Sequence, residues 1–137
     1  MQDKSIVAEN PNAWLQRANS DLIIASRYAE DIFLEDLCFH AQQAVEKALK
    51  AVLIAQSVKF PYTHNIGVLL GLIENRLPLP SFALDAAELT SYSVATRYPG
   101  ADEVVEYNEW CETIQVAKVV VAWATEIVTE LQKMKAE

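Results

Sequence analysis

His40, Gln43, Lys47 and Lys50 recur every three or four residues. On an α-helix, at about 100° per residue, they fill a strip spanning about 80°. Two ammonium groups, an imidazole and an amide on one strip supply the donors that a phosphate or another anion requires. A plainer reading is a solvated helix face carrying a Glu46–Lys50 ion pair at i,i+4. Phe39 lies in the middle of the same polar arc, and one large apolar group there suits a contact surface. His64-Asn65 at a helix start could support a phosphate at the positive end of the helix dipole, or the imidazole could simply close the loop by hydrogen bonds. Arg97 and Tyr98 fall on a connection between helices, where binding residues are common. Arg97 could equally pair with Asp21 or Glu103.

Other chemistry is not signalled. The sequence holds no Cys/His/Asp/Glu cluster with metal-ligand spacing, no phosphate-cradling glycine loop and no nucleophile–base signature. Residues alone therefore assign no catalytic group, no metal and no cofactor. A formal charge of -8 argues against free-standing nucleic-acid binding, because such domains are usually basic. Cys38 and Cys111 lie on predicted helices and read as reduced core thiols. No signal peptide and no apolar run of membrane-spanning length occur, so a cytoplasmic location with no membrane partner is expected.

The strip needs a helix to carry it, and the surrounding residues predict one. Leu37, Cys38, Ala41, Ala44, Val45, Ala48, Leu49 and Val52 share the arc opposite His40, Gln42, Gln43, Glu46, Lys47 and Lys50. The spacing predicts an amphipathic helix from Glu35 to about Ser57 with its polar arc facing outward. Before it, Asn10-Pro11 starts a first helix from Pro11 to about Glu30, with Trp14, Leu15, Ala18, Leu22, Ala25 and Ala29 as its buried stripe. Asp21 falls inside that stripe. It is either a carboxylate in a buried ion pair, since an unpaired buried charge is costly, or an edge residue reaching water.

Phe60-Pro61-Tyr62 ends the second helix. Thr63 is expected to cap a third, with His64 in its first turn and Ile66, Leu69, Leu70 and Ile73 on its core side. After the extended Leu77-Pro78-Leu79-Pro80, Ser81 is expected to cap a fourth helix from Phe82 to about Ala95, packing through Leu84, Ala87 and Val94. Thr96-Arg97-Tyr98-Pro99-Gly100 then turns the chain into an acidic loop. The last helix should run from about Tyr107 to Met134. Trp110, Ile114, Ala117, Val121, Ala124, Val128 and Leu131 form one apolar stripe, and Val116, Val120, Trp123 and Ile127 form a second. That width exceeds one bundle seam and points to a central helix or one shared with a second subunit. The fold class expected is an all-α, up-and-down antiparallel bundle of about five helices. It forms one domain over residues 1–137, with 1–9 and 134–137 frayed.

Three segments resemble a known family. They are Trp14-Leu15 through Ala18, Asp21-Leu22 and Ala25; Cys38-Phe39-His40-Ala41-Gln42-Gln43-Ala44-Val45-Glu46-Lys47-Ala48-Leu49-Lys50; and Phe60-Pro61-Tyr62-Thr63-His64 taken with Thr96-Arg97-Tyr98-Pro99-Gly100. In this order they resemble the HEPN domain, from about Ala13 to Val128. The resemblance implies a short helical bundle, usually dimeric, from bacteria or archaea. Many small members act beside a minimal nucleotidyltransferase in toxin–antitoxin or stress-response pairs, so a nucleotide, such a partner and a second copy of the chain are the expected ligands. Ribonuclease members carry an Arg followed after four to six residues by His. Here Asp102, Glu103 and Val104 occupy those positions after Arg97, and Arg17, Arg27 and Arg76 also lack the histidine. The resemblance therefore implies a non-catalytic binding protein, and the residues read above for binding are His40, Gln43, Lys47, Lys50, His64, Arg97 and Tyr98. The alternative is a divergent RNA-cleaving toxin using His40 or His64 with Arg97.

Overall fold

The computed structural model describes residues 10–93 and 104–136. The helices are α1 Pro11–Ala25, α2 Leu34–Ala55, α3 Ile66–Glu74, α4 Ala83–Glu88 and α5 Tyr107–Ala136, with a 3₁₀ turn Leu89–Tyr92 after α4. No strand occurs among the described residues. The fold is an all-α bundle. None of its helices is long and apolar enough to cross a membrane. The expected turn at Thr96-Arg97-Tyr98-Pro99-Gly100, with Val94 before it, lies outside the described residues.

Local chemistry sets each boundary. At the start of α1, Asn10 Oδ1 accepts from the Asn12 amide at 2.9 Å, ahead of Pro11. α1 stops at Ala25, short of the expected Glu30. There the Ser26 hydroxyl donates to the Leu22 carbonyl at 2.8 Å and competes with the next helical turn. Ala29 consequently lies beyond α1 and is half-buried. α2 ends in a left-handed residue, Ser57 at φ 61, with the Val58 amide reaching back to the Leu53 carbonyl at 2.9 Å.

Asn65, rather than Thr63, caps α3, its side chain accepting from the Val68 amide at 3.2 Å. Thr63 Oγ1 instead accepts from the Asn65 amide at 3.0 Å, which leaves His64 on the loop before the helix. The fourth helix is shorter than expected. Ser81 does not cap it, and after Glu88 the chain tightens into the 3₁₀ turn, where Thr90 Oγ1 accepts from the Ile66 amide at 3.0 Å. That tether changes the face presented to the core. Leu84 is 81% exposed, and Ala86, Leu89 and Tyr92 are buried in its place.

α2 is the central helix, packed against α1, α3 and α5. Lys50 of α2 lies beside Trp14 of α1, and His40 and Lys47 lie beside Asp21, so the two helices run antiparallel. Ala18 and Ala25 of α1 and Ala41, Ala44 and Ala48 of α2 are buried in the core. Small residues of this kind let helix axes approach closely. The start of α5 is tied to the other end of α1, because Trp110 Nε1 donates to the Ala25 carbonyl at 2.9 Å. Lys135 near its end donates to Ser57 Oγ at 3.0 Å. α5 thus runs in the same sense as α2, with α3 and α4 as the return. On α5, Trp110, Ile114, Ala117, Val120, Val121, Ala124 and Val128 are buried, while Val116, Trp123, Ile127 and Leu131 are half-buried.

Candidate binding face on α1 and α2

The polar arc of α2 is not a solvated face. Gln42, Glu46 and Lys50 are buried at 0%, 3% and 5% exposure. A charge taken out of water needs partners, and the arc divides around two carboxylates that supply them.

The first is Asp21 of α1, buried in the stripe as an ion-pair member and not at its wet edge. Its Oδ1 lies 3.0 Å from His40 Nδ1, and its Oδ2 accepts from Lys47 Nζ at 2.5 Å. An ionised carboxylate only accepts, so His40 Nδ1 carries the proton and Nε2 is the ring nitrogen left for other contacts. The Asp21 side chain is 11% exposed, against 32% and 25% for His40 and Lys47. The anchor is therefore inside and the donors outside. Arg97 and Tyr98 lie outside the described residues.

The second carboxylate is Glu46. Its Oε2 accepts from Lys50 Nζ at 3.1 Å, and its Oε1 accepts from Gln42 Nε2 at 3.2 Å and lies 2.9 Å from His64 Nδ1. Gln42 Nε2 also donates to the His64 carbonyl at 3.3 Å, which draws the 61–65 loop over α2. The Glu46–Lys50 pair is thus real but buried, with side chains 4% and 6% exposed, rather than solvated. Lys50 Nζ sits 5.7 Å from the Trp14 ring centroid and 5.9 Å from those of Phe60 and Tyr62. Three aromatic rings around an ammonium ion stabilise it where water is scarce. Lys50 is accordingly a cation enclosed by the fold, not a free landing point for an anion.

Four side chains from the sequence-derived set remain on this face: His40, Gln43, Lys47 and His64. His64 is 46% exposed and meets the Tyr62 ring edge-on at 5.5 Å. Phe39 meets His40 in the same way at 5.4 Å. Gln43 is half-buried and joins neither carboxylate. Asp21 and Glu46 balance Lys47 and Lys50, so with neutral imidazoles the strip carries no net charge. Beside it opens a cleft of about 350 Å³ lined by Ala13, Trp14, Arg17 and Lys47. Composition and spacing do not single out Trp14, Phe60, Tyr62 or Arg17 for this face. Trp14 reads as core, Phe60 and Tyr62 read only as a helix break, and exposed Arg17 has no local signature.

A second hollow has the opposite character. A hollow of about 740 Å³ is lined by Asp85, Glu88, Glu109 and Glu112 among others, a set suited to repel anions. Tyr92 donates its hydroxyl to Glu109, and burial followed by that acceptor pushes its phenol well above the usual range. Burial is also the main cause that pushes the Cys38 thiol up to about 12; the Thr113 hydrogen bond opposes this, and the Glu109 and Glu35 carboxylates add to it. Cys38 and Cys111 are both free thiols, the first buried and the second half-buried. No group of His, Cys, Asp and Glu among the described residues could hold a metal ion.

The chain is thus an all-α bundle with a carboxylate-anchored polar face across its first helix pair. Residues 11–131 match the HEPN domain, and the chain belongs to that family. Among solved structures it is similar to TT1696 from Thermus thermophilus. The TM-score is 0.73 at 26% identity, over 88% of this chain and 99% of that one. No curated protein matches the chain.

Proposed function

We propose that this chain is a non-catalytic HEPN module that binds a nucleotide or, through the same face, a minimal nucleotidyltransferase partner, as in toxin–antitoxin and stress-response pairs. The observation that carries the reading is the anchoring of His40, Lys47 and His64 by buried carboxylates. Each donor is held in one orientation with capacity to spare, so little ordering entropy is lost when a ligand arrives. The face combines these donors with aromatic rings in a chain of net charge -8. An anion would therefore be drawn to this face rather than to the acidic hollow. We further propose that the protein works as a homodimer.

The test is calorimetric titration with adenosine and guanosine triphosphates, repeated on His64→Ala. Binding weakened about tenfold by loss of a charge-assisted contact supports the reading. Absence of binding by both triphosphates, together with no complex with a minimal nucleotidyltransferase, overturns it. One observation favours a second reading, that of a divergent ribonuclease. The Asp21–His40 pair fixes an imidazole with Nε2 outward, as a general base needs. RNA cleavage that disappears in both His40→Ala and Arg97→Ala would establish that reading instead.

A further inference from the structure

We infer that the cleft between α1 and α2 is a mononucleotide subsite, with the base against Trp14 and the phosphate between Arg17 and Lys47. This rests on the nucleotide-binding reading and deepens it by naming the ligand class and two residues outside the set above. Trp14 and Arg17 are three apart on α1, so their side chains share one face. Lys47 reaches the same cleft from α2, its ammonium held by Asp21 Oδ2. Among the described residues the lining is one indole, two cations and an alanine, with no carboxylate, in a chain whose acidic residues exceed its basic ones.

Geometry and charge narrow the ligand. Lys50 Nζ, 5.7 Å from the Trp14 ring centroid, fixes the indole from within the fold. A pinned ring is what a stacking platform requires, since base stacking is lost when the ring must be reordered. Asp21 neutralises Lys47, and among the described residues no carboxylate forms an ion pair with Arg17, which leaves its positive charge to a ligand. That suits a single phosphate better than a polyphosphate chain. A volume of about 350 Å³ lies near the lower end for small-molecule sites, enough for a mononucleotide and too small for a dinucleotide cofactor.

The experiment compares adenosine 5′-monophosphate, ribose 5-phosphate and inorganic triphosphate by calorimetry on the full chain. The nucleotide is expected to bind about tenfold or more tightly than ribose 5-phosphate, as one base–aromatic stack provides. Trp14→Leu should abolish that ratio, and Arg17→Ala should weaken both phosphate monoesters about equally. Should Trp14→Leu fail to fold, exposed Arg17→Glu decides the matter, because it must reduce nucleotide binding at least tenfold. Equal binding of the two monoesters, or an unchanged Arg17→Glu, overturns the subsite. If triphosphate binds and His64→Ala weakens it while the Arg17 variants do not, the subsite falls and the wider function stands. If none of the three ligands binds, the subsite and the nucleotide half of the wider reading fall together.

Discussion

Lys50→Met separates an enclosed ion pair from a surface one. Methionine keeps most of the apolar stem and its packing against Trp14, Phe60 and Tyr62, but removes the charge. Glu46, with a side chain 4% exposed, would then keep only Gln42 and His64 as partners. Breaking a buried pair by removing one member costs about 3–5 kcal/mol, because an uncompensated charge stays inside. A single domain has roughly 5–15 kcal/mol in total, so the melting temperature should fall by about 10–15 °C. Replacing both partners, Lys50→Met with Glu46→Gln, should recover most of the loss, since the amide carbonyl still accepts from Gln42 and His64. Thermal and urea unfolding at one fixed pH measures all three proteins. Lys133→Met, at a residue whose side chain is 69% exposed, serves as the surface control and should change stability by under about 0.5 kcal/mol. The reasoning is refuted if Lys50→Met behaves like that control, or if the double variant is no more stable than the single one.

Further outcomes concern the thiols, the end of α2 and the oligomeric state. Native protein should react with a thiol reagent at Cys111 and not at Cys38, and both should react after unfolding, as read by mass spectrometry. The Cys38 pKa is raised from 9.0 to about 12 on folding. Its contribution to stability is therefore full below about pH 9 and lost as pH climbs toward 12, and Cys38→Ala should flatten that alkaline part of the unfolding profile. Ser57→Gly should stabilise by about 1 kcal/mol, because Ser57 holds φ 61, where a Cβ is strained; a lower urea midpoint would contradict this. Light scattering should report about twice 15.3 kDa. Val119→Glu, at a residue 46% exposed, should yield monomers if α5 forms the contact. Val120 is unsuitable for that test, since it is fully buried and a carboxylate there would unfold the chain.

Helical periodicity made the bundle legible. The apolar spacing on α2 and α5 matches their buried residues, and Asn10-Pro11 marks the first boundary. Ends set by side-chain competition were less legible, as at Ser26 and Asn65, where one hydroxyl or amide chooses between neighbouring backbone groups. Asp21 was the informative exception. A carboxylate within an apolar stripe demands a partner, but the sequence suggested Arg97 for that role and not His40 or Lys47 of α2. Glu46 and Lys50 misled because i,i+4 spacing looks the same in water and inside the fold. What buries them is the 61–65 loop, held by His64 at a separation of 18 residues. Aromatic enclosure of Lys50 has the same origin, two rings coming from a segment whose residue chemistry reads as a helix break.

The polar face also has an order of construction. Its bonds span 19 residues from Asp21 to His40, 26 from Asp21 to Lys47 and 18 from Glu46 to His64. All of these partners precede α3, whereas α5 lies at the opposite end of the chain. A ribosome adding about 5–20 residues per second releases the complete hairpin several seconds before the helix that covers its back. Short loops close at small entropic cost, so the polar face can assemble before α5 has been made. During that interval the valine and alanine side of α2 has no α5 to cover it. The growing chain is then most exposed to association with its neighbours, and any chaperone that shelters it would act on the side away from the polar face.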